Sequence, residues 1–127
     1  MTALRWGILA TGGIAHAFTA DLKTAGLTVT AVGSRRTESA QEFAAQYGIP
    51  RSYGSYDELV ADPEVDIVYI ATPHSHHLAC AALALEHGKH VLIEKPLTLD
   101  ADQAVAIRDL AADHGLLAME AMWTRYL

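Results

Sequence analysis

The stretch Arg5-Trp6-Gly7-Ile8-Leu9-Ala10-Thr11-Gly12-Gly13-Ile14-Ala15-His16 constrains this chain more than any other. Residues 4–9 form a short apolar run that reads as a strand, Gly12 and Gly13 supply a tight turn, and Ile14 opens a helical pattern. Strand, glycine turn and helix in that order make the corner at which a parallel sheet meets a dinucleotide. A pyrophosphate there needs backbone N–H donors at contact distance and the positive end of a helix dipole, and a side chain at Gly12 would hold it off. The usual spacing is G-x-G-x-x-G/A. This chain places Ala10, Gly12 and Ala15 at the fixed positions, with Thr11, Gly13 and Ile14 between them. Alanine fits the first position if its φ stays negative, while Gly12 keeps the close approach and Ala15 the packing of helix on strand. The competing reading is an ordinary strand-turn-helix corner with no ligand.

Composition bears on partners. With 127 residues, 51% hydrophobic and 19% charged, the chain has room for one domain with a real core, here residues 1–127. The formal charge of −6, from 9 Lys and Arg against 15 Asp and Glu, argues against a nucleic-acid or anionic-membrane partner. A single cysteine, Cys80, rules out a disulfide framework within the chain and fits a reducing compartment. No secretory signal pattern opens the sequence and no apolar run approaches the roughly 18 residues of a membrane span, so a cytoplasmic location is expected.

Downstream of the turn, the pattern predicts a helix over residues 14–25, ended by Gly26, and a strand over 27–32. Ser34-Arg35-Arg36 follow at the end of that strand, where an NAD-binding unit normally carries an acid for the ribose hydroxyls. A hydroxyl and two guanidinium groups suit a 2′-phosphate instead, which points to NADP in preference to NAD. The alternative is two solvated arginines ahead of a helix. Thr37 reads as the cap of a helix ending at Gly48, residues 51–54 as a minimal strand, and Ser55 as the cap of a short helix closed by Asp62-Pro63-Glu64.

Residues 65–71 are apolar on both faces, as a central parallel strand must be. Ala71-Thr72-Pro73-His74-Ser75-His76-His77 then lie at its carboxyl end, on the sheet edge that carries the glycine turn. Three histidines in four residues invite a metal, but no cysteine or carboxylate accompanies them and adjacent His76 and His77 diverge on a helix. A helix start capped by Ser75, with His77 facing the sheet, is the plainer expectation. A fifth strand over residues 90–93 leads into Glu94-Lys95-Pro96. In a partly dry cleft Lys95 could donate to a substrate oxygen while Glu94 orients it; the alternative is a surface ion pair. Asp100 caps a helix to residue 115, residues 116–119 form a sixth strand, and Trp123 and Arg125 sit in the closing run. The whole is expected to be a doubly wound parallel α/β sheet of about six strands, a Rossmann fold.

With these landmarks the sequence resembles the N-terminal nucleotide-binding domain of the Gfo/Idh/MocA oxidoreductases. The resemblance rests on Trp6-Gly7-Ile8 leading into Gly12-Gly13-Ile14-Ala15, on Ala71-Thr72-Pro73 with His74 and His77, on Glu94-Lys95-Pro96, and on Met119-Glu120-Ala121-Met122-Trp123-Thr124-Arg125. The closing run is most similar to the branch of dimeric dihydrodiol dehydrogenases and NADP-using D-xylose dehydrogenases. The resemblance implies that Lys95 acts at the substrate, that Glu94 and Pro96 shape the nicotinamide pocket, and that Trp123 and Arg125 contact the nicotinamide end. It implies hydride transfer between NADP and a secondary alcohol or carbonyl of a sugar, polyol or diol. Members of this family continue into a second α/β domain that covers the nicotinamide and forms the oligomer contact. The chain is therefore expected to be an isolated first domain that self-associates through its uncovered face, binds cofactor and turns over poorly. The alternative is a non-catalytic nucleotide-binding module.

Overall fold

The computed structural model describes residues 4–72, 76–94 and 101–120. Six strands form one sheet: β1 (Arg5–Leu9), β2 (Thr28–Gly33), β3 (Arg51–Tyr53), β4 (Ile67–Ile70), β5 (His90–Ile93) and β6 (Ala118–Glu120). All five pairings are parallel and the order is β3-β2-β1-β4-β5-β6. Successive strands are therefore added outward in one direction from β1 to β3 and in the other from β4 to β6, and a crevice opens at the carboxyl ends of β1 and β4, where the connections diverge. Five helices connect the strands: α1 (Gly13–Thr24), α2 (Thr37–Tyr47), α3 (Tyr56–Val60), α4 (His77–Glu86) and α5 (Ala101–Asp113).

The strands are buried on both sides, so their alternation sorts apolar residues into two cores. Ile8, Ile67, Tyr69 and Leu92 face one way and pack with Ala15, Phe18 and Leu22 of α1 and Phe43 of α2. Leu9, Val68, Ile70, Val91 and Ile93 face the other way, against Leu59 and Val60 of α3, Ala81 and Leu85 of α4, and Ile107 of α5. Rings add directional contacts to the first core. Phe18 stacks on Tyr69 with centroids 3.9 Å apart, and Trp6 meets Phe18 edge-on at 5.5 Å.

The local signals acted largely as expected. Gly48 ends α2 in the left-handed region at φ 65°, and Gly26 follows α1 at φ 77°. The Ser55 hydroxyl caps α3 by accepting from the Glu58 N–H at 3.2 Å. At α2 the helix begins one residue earlier than predicted: Arg36 is the extended N-cap residue and Thr37 the first helical one. The strands after residues 26, 64 and 115 also start later than their apolar patterns did. Val65, although fully buried, packs ahead of β4, where its N–H bonds the Asp62 carbonyl. The Asp100 cap and the Ser75 cap lie outside the described residues.

The amino-terminal edge of the sheet is closed by charge. Arg5 bonds Asp66 through Nε at 2.9 Å and also reaches Glu64. The buried carboxylate of Asp62 takes the Arg51 guanidinium at 2.6 Å, the Tyr53 hydroxyl at 2.8 Å and the Glu64 N–H at 2.8 Å. Lys89 runs beneath the sheet, its ammonium donating to the carbonyls of Asp62 at 2.7 Å and Val65 at 2.6 Å. Burial pulls the Lys89 pKa down, against the opposing charges of Asp62 and Asp66.

Burial by itself would raise the Asp62 pKa, but the Glu64 N–H, Tyr53 and Arg51 outweigh it and hold the carboxyl below its usual range; hydrogen bonding to Arg5 does the same for Asp66. Groups depressed in the fold add stability above their unfolded pKa, about 4, and lose it as pH falls through the folded value. Thermal midpoints should thus hold from neutral pH down to about 4 and fall below it, and Asp62→Asn should flatten that decline. Lys89→Met, which removes the ammonium from the Val65 carbonyl and one of two donors from the Asp62 carbonyl, should cost about 1–3 kcal/mol in urea unfolding.

Candidate functional site

A cleft of about 530 Å³ crosses the carboxyl edge of the sheet. Its floor is the turn between β1 and α1, where Ala10, Thr11, Gly12, Gly13 and Ile14 line it. Ser34, Arg35 and Arg36 after β2 form one end, with Tyr56 beside them; Ala71 and Thr72 after β4, His77 of α4 and Glu94 after β5 form the other. From β2 to β5 is three strand spacings, or roughly 14 Å, a span suited to an extended dinucleotide.

The turn is built to receive a ligand. Gly12 is the N-cap of α1 in an extended conformation, no side chain caps the helix and no acid occupies its first turn. The first N–H groups and the positive dipole end are thereby turned toward the cleft. A Cβ added at Gly12 or Gly13 would meet nothing within 4 Å, so the glycines leave open space rather than relieve a clash. Ala15, fully buried, lies behind them on the sheet. Ala10 corrects the expectation of a negative φ. Its φ is +92°, and among the described residues it alone combines a side chain with positive φ. The Ala10 N–H bonds the Gly33 carbonyl at 2.9 Å, and this tie to β2 holds the strained backbone in place.

At the β2 end, the Ser34 hydroxyl accepts the Arg36 N–H at 3.3 Å, folding the arginine pair back over the strand end. Ser34 is buried while Arg35 and Arg36 are exposed, so two exposed cations stand beside one buried hydroxyl. Tyr56 was not singled out from the sequence. It enters because α3 lies directly on the glycines of the sheet: a Cβ at Gly33 would come within 2.9 Å of Leu59 Cβ, and one at Gly7 within 3.3 Å of Leu59 Cδ1. Gly33 ends β2 one residue before Ser34, so the close approach brings the start of α3 to the arginines.

At the other end, His77 is fully buried, and its Nε2 donates to the Thr72 carbonyl at 2.9 Å. The bond fixes how α4 leaves β4. Among the described residues the buried Thr72 hydroxyl has no hydrogen-bond partner of good geometry; the nearby thiol of Cys80, whose pKa burial pushes up, is at best a weak one. Glu94 is buried as well and accepts from the Tyr69 hydroxyl, a partner the sequence did not signal because Tyr69 reads there as plain core. Pro73, His74, Lys95, Pro96, Trp123 and Arg125 lie outside the described residues. Among the described residues no three histidine, cysteine or acidic side chains gather as metal ligands, and no helix is long and apolar enough to cross a membrane.

A crevice of this shape at this point of the sheet has known counterparts. Residues 4–122 match the Gfo/Idh/MocA oxidoreductase family, NAD-binding Rossmann fold. The chain belongs to this family. It is 45% identical to trans-1,2-dihydrobenzene-1,2-diol dehydrogenase of Danio rerio, over 98% of this chain and 38% of that protein. It is 46% identical to D-xylose 1-dehydrogenase (NADP(+)) of Hypocrea jecorina, over 97% of this chain and 35% of that protein. Among solved structures, the 3-ketoreductase KijD10 from Actinomadura kijaniata in complex with NADP superposes with a TM-score of 0.89 at 37% identity, covering 94% of this chain and 38% of that one. The chain thus spans little more than a third of the length of these relatives.

Two variants test the turn. Ala10→Gly should raise stability by about 1 kcal/mol in chemical unfolding, because glycine takes positive φ without strain. Gly12→Val should leave the thermal midpoint within a degree or two, since the backbone there is extended and the space open.

Proposed function

We propose that this domain holds NADP in the cleft, in preference to NAD, as the cofactor half of an oxidoreductase acting on a secondary alcohol or carbonyl of a sugar, polyol or diol. One observation carries the reading. The cleft joins the uncapped start of α1 at Gly12-Gly13 to Ser34, Arg35 and Arg36, with no acid at the end of β2. A pyrophosphate fits the first, through backbone N–H groups and the helix dipole; a 2′-phosphate fits the second, through guanidinium forks that an NAD ribose would not need. The dehydrogenase of Hypocrea jecorina and the KijD10 complex, both named with NADP, support the same choice.

The bound cofactor supplies a nicotinamide that takes or gives hydride. This chain's residues do the rest. Thr11, Gly12, Gly13, Ile14 and Ala15 hold the diphosphate, with Ala10 setting the turn. Ala71, Thr72, Pro73, His74 and His77 line the approach to the nicotinamide, where Glu94, fixed by Tyr69, forms a wall. Lys95, next to Glu94 in the sequence, gives its proton to a carbonyl oxygen as the carbon is reduced, or takes it from the hydroxyl in the reverse direction. Trp123 and Arg125 complete the nicotinamide end, with Pro96 shaping its pocket. We place the protein in the reducing cytoplasm on the evidence of its single, buried cysteine.

Calorimetric titration should show NADP⁺ binding more tightly than NAD⁺. Arg35→Ala with Arg36→Ala should weaken NADP⁺ on the order of 100-fold and NAD⁺ by less than about threefold; equal losses would remove the 2′-phosphate assignment. Gly12→Val should abolish binding of both cofactors while the fold persists.

A further inference from the structure

A second cavity, of about 360 Å³, opens beside the cofactor cleft between α3 and α4. Arg35 and Tyr56 line both spaces and are the residues the two share, so together they form the partition. The far cavity contains an exposed acid, Asp57, one residue along from Tyr56. An arginine at such a partition has two places to go: over the cofactor cleft, or back toward the carboxylate. Arg35 itself is exposed.

Resting on the reading that Arg35 receives the 2′-phosphate, we infer that Tyr56 is its positioning residue: the half-buried phenol holds the guanidinium on the cofactor side of the partition and so sets the preference for NADP. Three features support this. The close seating of α3 on Gly33, with the Ser55 carbonyl 3.3 Å from where a Cβ would stand, fixes the phenol relative to the end of β2. Tyr56 and Arg35 meet in the wall common to the two cavities. Burial raises the phenol's pKa, which the nearby Arg35 charge opposes, so at neutral pH Tyr56 is a neutral group whose oxygen can accept an arginine N–H. Tyr56 touches no reacting atom; its effect passes through Arg35. Pre-ordering one rotamer-rich cation lowers the entropy lost when phosphate arrives.

The test is titration of wild type and Tyr56→Phe with NADP⁺ and with NAD⁺. Loss of the hydroxyl should weaken NADP⁺ roughly five- to tenfold and leave NAD⁺ within about twofold, with an unchanged thermal midpoint. In an Arg35→Ala background the same substitution should have no further effect on NADP⁺, since the residue it positions is gone. Asp57→Asn added to Tyr56→Phe should recover part of the loss, because the competing carboxylate is removed. Parallel weakening of both cofactors would mark Tyr56 as a general packing residue and overturn the inference, as would an additive double variant or an unchanged NADP⁺ affinity. If wild type binds NADP⁺ tightly and Tyr56→Phe matches it, the inference falls alone; if wild type binds neither cofactor, it falls together with the proposed function.

Discussion

Burial of both faces of a parallel sheet is the constraint on which everything else in this structure depends. β1, β4 and β5 have helices above and below, so nearly every side chain they carry must be apolar, and polar groups are driven to the strand ends. The amino-terminal ends are sealed by ion pairs and by Lys89 reaching two carbonyls. The carboxyl ends carry glycines, arginines, a buried histidine and a buried glutamate around open space. Division of labour between the two edges follows from the sheet, because a βα connection always leaves the helix N-terminus, with its free N–H groups, at the carboxyl edge.

Close approach is the second organising principle. Gly7 and Gly33 lie where α3 rests, and the contacts there are tighter than any side chain would allow. A Cβ at Gly54 would likewise come within 2.3 Å of Thr37 Oγ1, so the link after β3 presses against the first residue of α2. These contacts draw α2 and α3 in around the end of β2, and the arginine pair sits between them. By contrast a Cβ at Gly12 or Gly13 would meet no protein atom within 4 Å, and these two glycines line the cleft. Glycines in one small domain thus serve two opposite purposes, and only the surroundings distinguish them.

Ala10 illustrates how a tertiary tie can override local preference. Alanine avoids positive φ, yet the bond from its N–H to Gly33 and the need to turn between β1 and α1 hold it at +92°. The strain sits in the turn assigned to the diphosphate, where a fixed backbone is worth more than a relaxed one. Glu94 follows the same logic: a buried carboxylate would be costly alone, and the Tyr69 hydroxyl beneath it supplies the hydrogen bond that burial demands.

Much of this was legible in the residues themselves. Strand-glycine-helix order, the period-two apolar runs, Ser55 as a cap, Gly26 and Gly48 as helix ends, and the clustering of motifs on one sheet edge are local signals, and chain-local chemistry decides them. Family membership was equally readable, through Glu94-Lys95-Pro96 and the closing run. What required the tertiary structure was every relation between segments distant in sequence. Val65 reads as strand but packs before it; Tyr69 reads as core but serves Glu94; Lys89, to which no sequence pattern gives a role, supports two carbonyls; Tyr56 reads as an ordinary helix residue but shares a cavity wall with Arg35. Periodicity reports which face of an element is apolar, and it holds no record of which partner that face will meet. The sequence by itself determined the kind of sheet and the chemistry at its edge; only the packing of α3 on the glycines decided how that chemistry is aimed, because aim is a property of distances across the chain.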